Sequence, residues 1–95
     1  MESFKVTAIV DGDTFDVSPG WQWQGSTGNR IRPTGYDTPE QHQRGFEQAR
    51  DRLTSLLYSK SVELRKAHRI DRGRLVCDVF LNDVYLAKYF PEYAT

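Results

Sequence analysis

The chain has a single cysteine, a single methionine, no net charge and no long apolar run. Cys77 alone cannot close an internal disulfide, and with only His42 and His68 beside it no Cys/His zinc cluster can form. Cys77 is therefore expected as a small buried apolar residue, and the two histidines as surface residues. Thirteen basic and thirteen acidic side chains cancel, so bulk charge alone names neither nucleic acid nor membrane as a partner. No segment approaches the ~18 apolar residues of a membrane span, and Met1 to Val10 lacks the apolar stretch of a secretory signal. The expectation is no membrane association, and a cytoplasmic location unless a signal lies outside this sequence.

What is present suits a folded chain. At 95 residues, residues 1–95 are read as one domain. Aromatics at 13% are too frequent for a disordered chain. Charge is unevenly placed. Between Arg65 and Arg74 the chain carries Arg65, Lys66, Arg69, Arg72 and Arg74 against Asp71 alone, which leaves the remainder acidic. Such a run is a solvated face unless something else points to phosphate.

Hydrophobic spacing outlines the elements. Val6 to Val10 reads as a strand, Asp11-Gly12 as a turn in which glycine supplies a positive φ, and Thr14 to Val17 as the returning strand. Pro19-Gly20 interrupts it, Trp21 to Gln24 resumes extended character, and Gly25 to Asn29 is a polar connection. Asn29 to Tyr36 is a third strand, which Pro33 pushes toward an edge or bulge. Phe46, Ala49, Leu53, Leu56 and Leu57 form the apolar stripe of the one long helix. Val62 and Leu64 mark a fourth strand, Leu75 to Leu81 a fifth, and Val84 to Phe90 starts a short helix that Pro91 disrupts. Five short strands with a helix between the third and fourth match an OB-fold, so the expected class is α+β, mainly β: a five-stranded Greek-key barrel with a short C-terminal helix.

Two acidic clusters follow strand ends, Asp11-Gly12-Asp13-Thr14 and Asp37-Thr38-Pro39-Glu40. Singly, each has a structural explanation: Asp-Gly is a turn dipeptide, and Asp-Thr-Pro-Glu can open a helix with Asp or Thr as its cap. Joined with Arg32 before the second cluster and Arg74 after Gly73, they resemble the staphylococcal nuclease (thermonuclease) family. The resemblance runs through Val6 to Val17, Arg30 to Glu40, Gly45 to Leu57 and Asp71 to Leu81, in the family's order.

That resemblance implies an OB-type barrel and calcium-dependent hydrolysis of phosphodiester bonds in single-stranded DNA and in RNA. The metal-binding carboxylates fall on Asp13 and Asp37, with the Thr38 carbonyl as a further ligand. Glu40 falls on the carboxylate that positions the attacking water, and Arg32 and Arg74 on the phosphate-binding arginines. These types suit the chemistry, because calcium accepts ~6–8 oxygen ligands in loose geometry and guanidinium forks clamp phosphate oxygens bidentately.

Arg65, Lys66, Arg69 and Arg72 are candidate contacts to a nucleic-acid backbone. Asp11 is expected to shape the hairpin behind the metal ligands. Asp71 either orients the Arg74 loop, pairs with Arg69 or Arg72, or simply forms a turn. Trp21, Trp23, Tyr36 and Tyr58 are expected in the core or an interface rather than under bases. No obligate protein partner is expected, and the chain is read as a monomer.

The sequence also departs from the family. Asp71-Arg72-Gly73-Arg74 is short and lacks the usual aromatic before its glycine, Pro33 replaces an aliphatic residue, and the balanced charge weakens long-range steering of a polyanion. Much of the family's C-terminal helical region lies beyond Thr95, so weaker nucleotide affinity is expected. The rival reading is a non-catalytic OB module that binds nucleic acid or a protein partner.

Overall fold

The computed structural model describes Ser3 to Thr95. Strand accounts for 54% and helix for 20%, which makes the protein mainly β. Strands β1 (Ser3–Asp11), β2 (Thr14–Trp23) and β3 (Ser26–Pro33) form an antiparallel meander, followed by helix α1 (Phe46–Leu57) and strands β4 (Ser61–Asp71) and β5 (Arg74–Leu81). β4 returns to pair with β1 and with β5, both antiparallel. β3 and β5 then close the five-stranded barrel with a parallel pairing, Ile31 beside Leu75, Arg32 beside Val76 and Pro33 beside Cys77. This is the Greek-key barrel with one helix between its third and fourth strands that the element order predicts.

Alternation decides which side chains meet inside. Phe4 and Val6 of β1, Phe15 and Val17 of β2, Ile31 of β3, and Leu75, Cys77, Val79 and Leu81 of β5 all point inward, as the period of two requires. Helix α1 buries Ala49, Leu53 and Leu57, whereas Phe46 and Leu56 at the margin of its stripe are half-buried. The helix ends where Ser59 takes a positive φ, and the chain then bonds to β1 through Ser59 N–H to Val6 O and Val6 N–H to Lys60 O. Cys77 is 1% exposed, and burial pushes its thiol up to about 12, so it is the inert apolar residue expected.

Several expected boundaries shift. β2 is one strand through Pro19-Gly20, with its pairing to β3 irregular between Asp16 and Trp21. The polar segment after Gly25 is mostly strand: β3 begins at Ser26 because Gln24 and Gly25, both at positive φ, complete a tight turn by themselves. β3 stops at Pro33, not Tyr36. Proline has no N–H for the ladder, and the buried Tyr36 ring stacks on Phe90 with centroids 4.4 Å apart. The segment from Val84 to Phe90 splits into a two-residue strand β6 (Val84–Tyr85) and a 3-10 turn (Leu86–Tyr89), followed by a second turn at Pro91–Tyr93. Asp37 to Glu40 does not open the helix: α1 starts at Phe46, after Gly45 at φ 91°. Of the four singled-out aromatics, Tyr36 and Trp21 are core and Trp23 packs against it, but Tyr58 is 54% exposed at the end of the helix and lies outside the core.

The first hairpin corrects one expectation in detail. Asp11 pairs with Thr14, so Gly12 and Asp13 form the turn, and Gly12 does not adopt a positive φ. Glycine is needed there for space: a Cβ would lie 2.7 Å from both the Ala49 Cβ and the Thr38 Oγ1. Close approach of hairpin, helix and the Asp37 loop is what that residue permits. Gly12→Ala is therefore expected to destabilise the fold by about 1–3 kcal/mol through overpacking, read as a lower urea midpoint. A midpoint equal to that of the unaltered chain would show that the three segments are not closely packed.

Candidate phosphate and metal site

A cleft of about 520 Å³ opens on the outer face of the barrel, where β3 and β5 run side by side. Parallel register explains its composition. Arg32 stands beside Val76, and Arg74 lies two residues before Val76 on the same face of β5, so two arginines distant in sequence line one wall. The β1–β2 turn contributes Asp11 and Asp13, and the loop after β3 contributes Asp37 and Glu40. Arg69 and Arg72 also line it.

Arg32 is the hub. Its Nη1 donates to the carbonyls of Pro33, at 2.6 Å, and Tyr36, at 3.1 Å, which fixes the guanidinium against the loop. Its Nη2 donates to Asp37 Oδ1 at 3.0 Å and lies 3.4 Å from Asp13 Oδ2. The two carboxylates that sequence separates by two strands thus meet at one nitrogen. Asp13 is buried in the turn, where its Oδ2 also accepts the Thr38 N–H at 3.1 Å and its Oδ1 the Thr14 hydroxyl at 3.3 Å. Burial would raise its pKa, but the hydrogen bonds from Asp11 and Thr38 and the charge of Arg32 outweigh that, and the net shift is downward. Asp37 shifts upward, through burial first and then through its closeness to Asp13. Asp11, which accepts the Asp13 N–H at 3.1 Å, is pushed up to about 6 by burial and by Asp13 beside it.

Arg74 is held by its own hairpin. Arg72 and Gly73 both take the positive φ values of a type I′ turn, so four residues suffice to reverse the chain. Asp71 then grips Arg74 twice, its carboxylate accepting from Nη2 at 2.8 Å and its carbonyl from Nε at 3.2 Å. Of the roles open to Asp71, orienting Arg74 is the one seen most directly, with Arg72 farther off at 3.8 Å. The remaining nitrogen of Arg74 points at the Thr14 hydroxyl, at 3.5 Å, which connects it through Thr14 to Asp13.

Glu40 is exposed on the cleft rim, and its carboxylate makes no hydrogen bond or ion pair among the described residues. Its backbone is well fixed: the Glu40 N–H donates to Gln43 Oε1 at 2.7 Å and the Glu40 carbonyl accepts the Gln43 N–H at 2.9 Å. Thr38 is buried behind the cleft, and its Oγ1 is left without a hydrogen-bond partner.

The cleft does not gather every expected residue. Arg65 and Lys66 are not among its walls; Arg65 pairs with Glu63 and Asp83 and lies over the Phe80 ring at 3.7 Å. They lie farther along β4, beside the Val79 and Phe80 end of β5, whereas Arg69 pairs with Val76 near the Arg74 end. His42 and His68 are exposed, and His68 Nε2 lies 2.9 Å from Asp78 Oδ1.

Sequence reasoning also passed over several contributors. Thr14 links the acidic and basic halves, and the Tyr36 hydroxyl donates to Gly12 O at 2.9 Å, tying the loop after β3 to the β1–β2 turn. The backbone of Tyr93 to Thr95 anchors the loop through Asp37 N–H to Tyr93 O and Thr95 N–H to Gly35 O. Thr14 adjoins a suspect aspartate and so had a signal, whereas the backbone pairing had none.

Among the described residues, no group of three or more His, Cys, Asp or Glu side chains is placed to enclose a metal ion. A hard cation would therefore draw on the Asp13–Asp37 pair and complete its shell with the Thr38 carbonyl, waters and ligand oxygens, a mixture calcium accepts. The charge balance fits a cation as well: five carboxylates and four guanidinium groups line the cleft. No family model matches the chain, and no curated protein matches it.

Arg32 neutralises two carboxylates that otherwise repel, and one of them is buried. Arg32→Met is expected to cost about 2 kcal/mol or more at pH 7, the partial exposure of the pair keeping the loss below that of a fully buried one. Because the Asp13 pKa is depressed, the stability it confers is complete above its ordinary value of 3.8 and is lost as pH falls through the folded-state value. Denaturation of both proteins from pH 7 to pH 3 should show the gap narrowing below about pH 4. A gap of constant size would mean that Arg32 stabilises by packing alone.

Proposed function

We propose that this protein is a metal-assisted phosphodiesterase that hydrolyses DNA and RNA strands, with calcium as its cofactor. The observation that carries the proposal is the convergence of Asp13, Arg32, Asp37, Glu40 and Arg74 on one open cleft, from four separate parts of the chain. The sequence resemblance to the staphylococcal nuclease family supports the same reading, since these are the positions to which it assigns the chemistry.

Each residue has a role in this proposal. Asp13, Asp37 and the Thr38 carbonyl would hold the cation, which when bound supplies Lewis-acid neutralisation of phosphoryl charge and an oriented water. Arg32 and Arg74 receive the phosphoryl oxygens. Their orientation is set in advance, Arg32 by two backbone carbonyls and Arg74 by Asp71, so little reorganisation is required as charge develops. A phosphate oxygen competes for Arg32 Nη2 with the two carboxylates. Glu40, with its carboxylate uncommitted and its backbone fixed, orients the attacking water in line with the leaving oxygen and accepts its proton.

A non-catalytic nucleic-acid-binding barrel would use the same cleft but would not need Glu40, whose carboxylate contributes no contact to the fold. Hydrolysis of a fluorescent single-stranded oligonucleotide separates the two. Cleavage is expected with calcium and none with chelator, and Arg32→Ala, Arg74→Ala and Glu40→Gln should each lower kcat by ~10²–10³. Rates unchanged by all three substitutions, or no cleavage in calcium by the unaltered protein, would contradict the enzyme.

A further inference from the structure

The four cleft arginines fall into two pairs. Arg32 and Arg74 are committed to internal partners. Arg69 makes no side-chain hydrogen bond or ion pair among the described residues, and Arg72 is 83% exposed with only a loose 3.8 Å approach to Asp71. These are the cations free to meet a ligand first. Aromatic side chains, by contrast, offer nothing here. Among the described residues, Tyr36 is the only aromatic lining the cleft, and it is 1% exposed, with its ring against Phe90 and its hydroxyl bonded to Gly12 O.

The two tryptophans are on the other side of the wall. Trp21 and Trp23 line a second cleft, of about 770 Å³, together with Leu75 and Cys77 of β5, while the first cleft takes Val76. Successive residues of a strand face opposite ways, so a ligand in the first cleft is shielded from those indoles by β5 itself. A strand bound there would meet guanidinium groups and carboxylates but no exposed aromatic face on which to stack a base.

We infer that the cleft recognises the sugar-phosphate backbone without its bases, with Arg69 and Arg72 contacting the phosphates that flank the central one. This rests on the proposed phosphodiesterase reading and adds to it an indifference to base identity and even to base presence. Stacking of one base on an aromatic side chain changes affinity by about five- to over a hundredfold, so its absence is measurable.

The test is equilibrium binding, by fluorescence anisotropy in calcium, of a labelled octathymidylate and of the same backbone carrying abasic tetrahydrofuran residues, using the Glu40→Gln variant to limit cleavage. Affinities within about threefold are expected, since no stacking term is lost. Arg69→Ala and Arg72→Ala, each made in the Glu40→Gln background, should weaken both ligands alike and lower the salt slope by about 0.7 apiece. An abasic ligand bound tenfold or more weakly, no binding of either ligand, or variants with unchanged affinity and slope would overturn the inference. The two readings fail separately. If the unaltered protein binds both ligands equally but cleaves neither in calcium, the phosphodiesterase proposal falls and backbone recognition stands; if it cleaves octathymidylate and the abasic ligand binds poorly, the reverse holds.

Discussion

Parallel pairing of β3 with β5 is the constraint on which the rest of the molecule depends. It closes the barrel, and its register sets Arg32 beside Val76 and within reach of the wall that carries Arg74. A slip of one residue would turn every side chain of β3 to the opposite face, burying a guanidinium in the core and exposing Ile31. Ile31 and Leu75 are almost wholly buried, so the apolar interior specifies the register and thereby the outer face. The same register brings Thr34 to Asp78, whose carboxylate accepts the Thr34 hydroxyl at 2.6 Å. The cleft is thus a consequence of the core, assembled on the reverse side of residues chosen for packing.

Charge makes the cleft costly to maintain. Asp13 and Asp37 share one nitrogen of Arg32, while Asp11 behind them is pushed up to about 6. Burial raises Asp11 and Asp37 first and the nearby Asp13 adds to it, whereas hydrogen bonds and Arg32 bring Asp13 down. Arg32 supplies part of the compensation and the proposed cation the remainder. Long-range ties on the loop, among them Tyr36 to Gly12, Thr38 to Asp13 and Asp37 to Tyr93, keep these acids together against their repulsion.

Much of this was legible because it is periodic. The helix from Phe46 to Leu57 follows from its stripe, and the fifth strand from its apolar run, with β5 beginning one residue earlier at Arg74. That Asp13, Arg32, Asp37, Glu40 and Arg74 belong together in one cleft was legible through type and context, although their spacing in sequence says nothing about distance. What was not legible depended on contacts between distant segments. Gly12 looks like a turn glycine chosen for its torsion, but the helix and the Asp37 loop impose its size. Arg65 and Lys66 belong to the same basic run as Arg69, yet they lie farther along β4 toward Val79 and Phe80, and a run of charge carries no record of what each residue pairs with. Tyr58 follows the last helical residue and falls off the line of the apolar stripe, which leaves it 54% exposed.

The central claim is that acidic and basic halves of one cleft act on a phosphate ester through a shared cation. Linkage tests it most directly: calcium affinity is measured by calorimetry with and without a non-cleavable dinucleotide phosphate analogue, for the unaltered protein and for Asp13→Asn. The account predicts that the analogue tightens calcium binding, that calcium tightens analogue binding by the same factor, and that both effects vanish in the variant. Calcium and analogue binding independently of one another, or coupling that survives loss of the Asp13 carboxylate, would contradict it.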